Sequence, residues 1–159
     1  MKQETISKSL KSLALSIGIV GLVFFLVGVP YMLDFIIDLY PEVDFIRIPA
    51  LSGFGMIAVV CYYALFQFYT ITVQIGYQNS FCKENVSALR NIAIACLVIV
   101  GFILIGDLYL LFIGWLHPSI MICSLFVAFL SIAISIVCFS LSSLLNNAVM
   151  IKRENDLTI

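Results

Sequence analysis

The chain has 159 residues, of which 63% are hydrophobic and 11% charged, and its formal net charge is −1. A soluble domain carries about a quarter charged residues to cover its surface, so this composition excludes an ordinary water-facing globule and predicts one domain facing lipid. The few basic residues are dispersed, which excludes direct nucleic-acid binding.

The first twelve residues are basic, with Lys2, Lys8 and Lys11. The apolar run that follows, residues 13–33, is too long for a signal-peptide core and lacks a small-residue cleavage pattern, so it reads as an uncleaved first span. Crossing about 30 Å of hydrocarbon takes roughly 20 mostly apolar residues. Charge-free stretches at 48–82, 91–106 (continuing past Asp107 to 116) and 118–151 each satisfy that requirement. Pro49 and Pro118 stand where the second and fourth helices should begin, since proline is tolerated in a first turn. Pro30, near the far end of span one, is placed to bend it. The expected spans are about 13–33, 50–75, 91–116 and 119–145, with residues 146–159 an extension and tail. The fold class is all-α, an integral membrane four-helix bundle.

Seven of the eight basic residues fall on one side of four crossings and only Arg47 on the other. Short connections rich in Lys and Arg stay in the cytoplasm, which predicts both termini and the central loop inside. The sequon Asn85-Val86-Ser87 is then hidden from any lumenal enzyme. Leu10-Lys11-Ser12-Leu13-Ala14-Leu15-Ser16 parallels Leu89-Arg90-Asn91-Ile92-Ala93-Ile94-Ala95, and Lys83-Glu84-Asn85 parallels Arg153-Glu154-Asn155. These matches suggest two repeated helical hairpins, although common membrane-threshold chemistry explains them equally well.

The connection 34–49 carries Asp34, Asp38, Glu42 and Asp44 among apolar residues. Asp34 and Asp38 share a helical face, as in a short helix lying in the interface. The alternative, a hard-cation site, lacks EF-hand spacing and has Arg47 beside it. In the central loop, Asn79 or Ser80 is placed to cap a helix start containing Glu84, Val86, Leu89 and Arg90. Phe81, Lys83, Glu84, Asn85 and Arg90, with Lys152, Arg153, Glu154, Asn155 and Asp156 of the tail, are the docking candidates on the cytoplasmic face.

Asp107 is the residue least at home in its run. A carboxylate inside a span is costly unless paired, protonated or hydrated, which makes a functional role the starting hypothesis. Counted from His117, it lies about 14 Å below the outer edge. The competing reading is a tie between helices through Tyr62, Tyr63 or a serine of span four, and the lack of a second intramembrane charge favours it. Small residues four apart, Ala14/Gly18, Ser124/Ala128 and Ser131/Ser135, read as helix-packing contacts. Tyr31, Tyr40 and Trp115 fit an outer aromatic belt.

The five cysteines, Cys61, Cys82, Cys96, Cys123 and Cys138, form no CxxC pair, and four lie in apolar runs where thiols pack as small hydrophobes. The single histidine, His117, supplies neither a metal site nor an acid–base pair. Ser–His–Asp, HExxH, P-loop and GxGxxG patterns are absent from the sequence. The expectation is no catalytic, cofactor or metal residue.

Ser80-Phe81-Cys82-Lys83-Glu84-Asn85 with Leu89-Arg90-Asn91-Ile92-Ala93, and the ending Lys152-Arg153-Glu154-Asn155-Asp156-Leu157-Thr158-Ile159, resemble a family of small four-span bacterial membrane proteins. It is catalogued as a domain of unknown function and includes the YoaS-like proteins. The family pattern often has serine where this chain has Cys82. The resemblance implies a bacterial inner-membrane protein without catalytic residues. Family genes often lie beside one for a small Cro/C1-type helix-turn-helix regulator, so it also implies such a regulator as partner. The expected function is a non-enzymatic regulator or scaffold acting through its cytoplasmic face. The alternative is a subunit of a small transporter or channel that uses Asp107 and works as a homo-oligomer.

Overall fold

The computed structural model describes residues 3–77 and 81–156. Four helices are long and apolar enough to cross a membrane. The first comprises α1 (Gln3–Val23), a π-helical turn (Phe24–Gly28) and α2 (Val29–Leu39). A 3-10 turn (Pro41–Ile46) leads into α3 (Arg47–Gly76), followed by α4 (Lys83–Ile113) and α5 (Pro118–Asp156).

Local sequence explains the punctuation. Pro30 has no N–H, which would leave a carbonyl of the preceding turn unpaired. The chain meets this by shifting register: the Val29 N–H reaches the Phe24 carbonyl across a wide turn, a common way for a helix to absorb such a defect. The helix therefore continues to Leu39. Asp34 and Asp38 stand on that continuation rather than on a separate interfacial helix, which corrects the expectation for this segment. At the far end of α4, Gly114 adopts φ 79°. Its N–H bonds the Leu111 carbonyl and the Trp115 N–H bonds that of Leu110, so two terminal carbonyls are satisfied by a left-handed glycine cap. Pro118 then opens α5. At its other end α4 starts at Lys83, so the short helix expected around 84–90 is the first part of span three. The proposed caps at Asn79 and Ser80 lie outside the described residues, and the N-cap position is Cys82.

The interior is built from small side chains. Ala14, Ala88, Ala93, Ala95, Ala128, Ser7, Ser135, Ser142 and Thr72 are buried, while most large apolar residues point outward. This inverts a water-soluble core, because lipid already satisfies leucine and phenylalanine and only close backbone approach is left to gain. Hydroxyls stitch the approach: Ser7 Oγ donates to the Thr72 carbonyl at 2.8 Å, Tyr62 Oη to Gly18 at 2.6 Å, Ser135 Oγ to Ala93 at 2.9 Å and Ser142 Oγ to Val86 at 2.9 Å.

Helices pack on their sequence neighbours: span one on α3, α3 on α4, and α4 on α5. Among the described residues, the first and last spans do not touch. The accessible surface, 10933 Å², exceeds the roughly 8,000 Å² of a compact soluble monomer of this mass. The four-helix bundle is thus open along one side.

The two hairpins correspond beyond the matched segments. Ala14 and Ala93, equivalent in the alignment, are both buried. Extending the alignments backward sets Ser7 opposite Val86 and Thr72 opposite Ser142. Each hairpin joins those two positions by a hydroxyl-to-carbonyl bond, with donor and acceptor exchanged.

Candidate functional site

Asp107 projects from α4 toward α5, where Ser124 Oγ donates to its Oδ2 at 2.6 Å. The same hydroxyl lies 2.9 Å from the Met121 carbonyl. Six residues separate Asp107 from the end of α4 at Ile113, about 9 Å along the axis and shallower than counting from His117 gives. The carboxylate is half-buried. Of the ties considered from sequence, the serine of span four is the one formed; Tyr62 bonds Gly18 instead. One carboxylate with one hydroxyl holds two helices in register. By itself it supplies no second ionisable group to which a proton could move.

The end of the molecule bearing both termini carries Lys8, Lys11, Lys83, Arg90, Lys152 and Arg153, whereas Arg47 lies at the opposite end. Its helices are closely joined. A Cβ added to Gly76 would come within 2.7 Å of Ser7 Oγ, so only glycine lets α3 pass the Ser7–Thr72 bond undisturbed. Cys82 is buried, and burial pushes its thiol up from the ordinary value. The Asn85 backbone N–H pulls the other way and the neighbouring Glu84 adds to the rise.

Around this end Phe81 is 54% and Tyr77 77% exposed. Lys83, Glu84, Arg90, Lys152, Arg153 and Glu154 are exposed as well. Asn85 is not: it is 2% exposed, about half a turn into α4, and it belongs to the packing rather than to a docking surface. The side chains of Asn155 and Asp156, and residues 157–159, lie outside the described residues. The loop and tail do not form one flat patch. Ser142 sits beside Val86, and α5 then runs fourteen residues further to Asp156, about 21 Å. Lys152 therefore stands about 10 Å beyond the level of Lys83.

At the opposite end Arg47 and Asp34 form an ion pair at 2.7 Å, both half exposed. Among the described residues, no three His, Cys, Asp or Glu side chains gather closely enough to hold a metal ion, so the four acids do not converge on one point.

The family model "Protein of unknown function (DUF2975)" matches residues 32–159. The chain belongs to the DUF2975 family. Among curated proteins it is similar to the "Uncharacterized membrane protein YoaS" of Bacillus subtilis (strain 168), 28% identical over 160 residues covering 99% of each chain. No solved structure matches. As a DUF2975 protein it is a membrane protein in contact with the lipid bilayer, in line with its four spans and apolar exterior.

Sequence reasoning missed the hydroxyls at Ser7, Thr72 and Ser142 that join each hairpin. The available signal was the run Ser124, Ala128, Ser131, Ser135, Ser142, which repeats at helical-contact spacing along one face of α5.

Proposed function

We propose that this DUF2975 protein is a non-enzymatic regulator or scaffold of the bacterial inner membrane, with both termini in the cytoplasm, that holds a soluble protein against its termini-bearing end. One observation carries the reading: α5 outruns the start of α4 by about three turns and ends in exposed Lys152, Arg153 and Glu154. Exposed Tyr77 and Phe81 flank the start of α4 at the same end. The bias of basic residues toward this end supports its cytoplasmic placement. The partner class implied by the family resemblance is a small helix-turn-helix regulator, which would bind this face while the membrane protein itself makes no nucleic-acid contact.

Reporter fusions at each terminus read the sidedness, and co-purification at native expression level reads the partner. The proposal expects cytoplasmic reporters at both ends. It also expects a captured protein lost when Phe81→Ala, Lys83→Ala and truncation after Val149 are combined. A periplasmic reporter, or capture unaffected by all three changes, refutes it. A transporter or channel subunit built on Asp107 is the weaker reading, because Ser124 already gives that carboxylate a structural partner.

A further inference from the structure

The face of α5 turned toward α4 carries Ala128, Ser135 and Ser142, all buried. One residue to the side, a second stripe runs the length of the helix: Val127, Leu130, Ile134, Val137, Leu141, Leu144, Ala148 and Ile151. Every member is apolar, and all but the part-buried Ala148 are exposed. The steps alternate between three and four residues, the spacing of a two-helix seam. Within the hydrocarbon an apolar stripe is unremarkable, since lipid covers it. From Pro118 to Ser142 the helix already covers about 36 Å, more than the roughly 30 Å of hydrocarbon. A span that begins near Pro118 has therefore left the bilayer core by about Ser142 while the stripe continues.

Leu144, Ala148 and Ile151 occupy the seam positions of that projecting stretch. Off the seam stand polar Ser143, Asn146, Asn147, Lys152 and Arg153, with Leu145 and Val149 part-buried and Met150 exposed among them. An amphipathic helix with its apolar edge in water requires a cover. Its own chain supplies little: among the described residues α5 packs only on α4, which begins one turn before Val86.

We infer that the cover is a second copy of this chain, α5 pairing with α5 in a parallel coiled coil that extends the bundle out of the membrane. Three observations select that occupant. Two copies inserted in one bilayer share an orientation, so identical residues meet at the same height and the stripe is complementary to itself. The bundle is open, and α5 is one of its two outermost helices, so the far side of the seam is unobstructed. Asn147 and Lys152 fall at the positions from which side chains of paired helices reach across to each other, and both are polar. Because the stretch is aqueous on either side of the membrane, the inference does not depend on the sidedness proposed above.

Disulfide trapping in native membranes tests it. In full-length protein carrying Cys123→Ser, which silences the exposed native thiol of α5, single cysteines are placed at Leu144, Ala148 or Ile151, and at Asn146 or Arg153 on the opposite side. Pairing predicts a strong covalent dimer at the first three and a trace at the last two. Equal trapping on all sides, or none at the seam, overturns the inference. Leu144→Lys with Ile151→Lys should reduce the protein mass of the purified particle from two chains to one with helix content unchanged. The seam-cysteine pattern remains decisive if that double variant fails to fold. A monomer with a different protein bound along α5 refutes pairing and leaves the scaffold proposal standing. Seam crosslinks without any co-purifying partner do the reverse.

Discussion

The bond between Ser124 and Asp107 separates a helix tie from a working carboxylate, and a double-mutant cycle measures it. The structure gives Asp107 Oδ2 one hydroxyl donor at 2.6 Å in a half-buried site about 9 Å below the end of α4. A hydrogen bond contributes about 0.5–1.5 kcal/mol net in soluble proteins. Within bilayers, measured couplings average about 0.6 kcal/mol and reach about 1.7, because the separated helices also find partners. The short distance places this pair in the upper half of the bilayer range, about 1–1.7 kcal/mol. Ser124→Ala, Asp107→Ala and the double variant, unfolded reversibly in bicelles, should show a coupling of that size, or about a five- to seventeen-fold change in the unfolding constant. Asp107→Asn, which keeps an acceptor for the serine hydroxyl, should retain much of the wild-type stability. A coupling indistinguishable from zero refutes the tie. Asp107→Asn abolishing an ion flux in proteoliposomes while stability stays unchanged would add a working role for the carboxylate to the tie.

Gly76→Ala drives a Cβ to 2.7 Å from Ser7 Oγ. The hydroxyl must rotate off the Thr72 carbonyl, and thermal unfolding should register a loss of about 1 kcal/mol. Most of that loss should vanish in a Ser7→Ala background. Gly114→Ala places a side chain at φ 79° and should cost about 1–2 kcal/mol in the same assay; an unchanged midpoint contradicts the left-handed cap. For Cys82 the sign follows from burial. The folded thiol titrates above its ordinary value, so its stabilising effect is complete below the unfolded-state value of about 8.5 and fades as pH rises through the folded-state one. Alkylation of Cys82 in membranes should be slow at neutral pH and accelerate only in alkaline buffer, and Cys82→Ser should remove its share of the alkaline loss of stability. Rapid labelling at neutral pH argues against a buried thiol.

Length and hydropathy were sufficient to read four spans, because each must cross a fixed thickness of hydrocarbon with every backbone group paired. The concentration of basic residues at one end and the anomaly of Asp107 were legible for a related reason: charge stands out in an apolar run. What periodicity could not convey was which face meets which neighbour. The spans are apolar all round, so Ser7 and Thr72 looked no different from Ser12 or Ser16, which are exposed. Asn85 looked like a surface residue because it follows Lys83-Glu84, yet about half a helical turn from Lys83 carries it inward.

By itself, then, the sequence determined the number of apolar helices long enough to cross and the concentration of positive charge at one end, because those depend only on local composition. The tertiary structure decided that the bundle stays open between its first and last spans, that Ser124 is the partner of Asp107, and that α5 outlasts every helix beside it. These depend on the fit of small side chains at specific helix crossings, and a uniformly apolar pattern contains no signal for that fit.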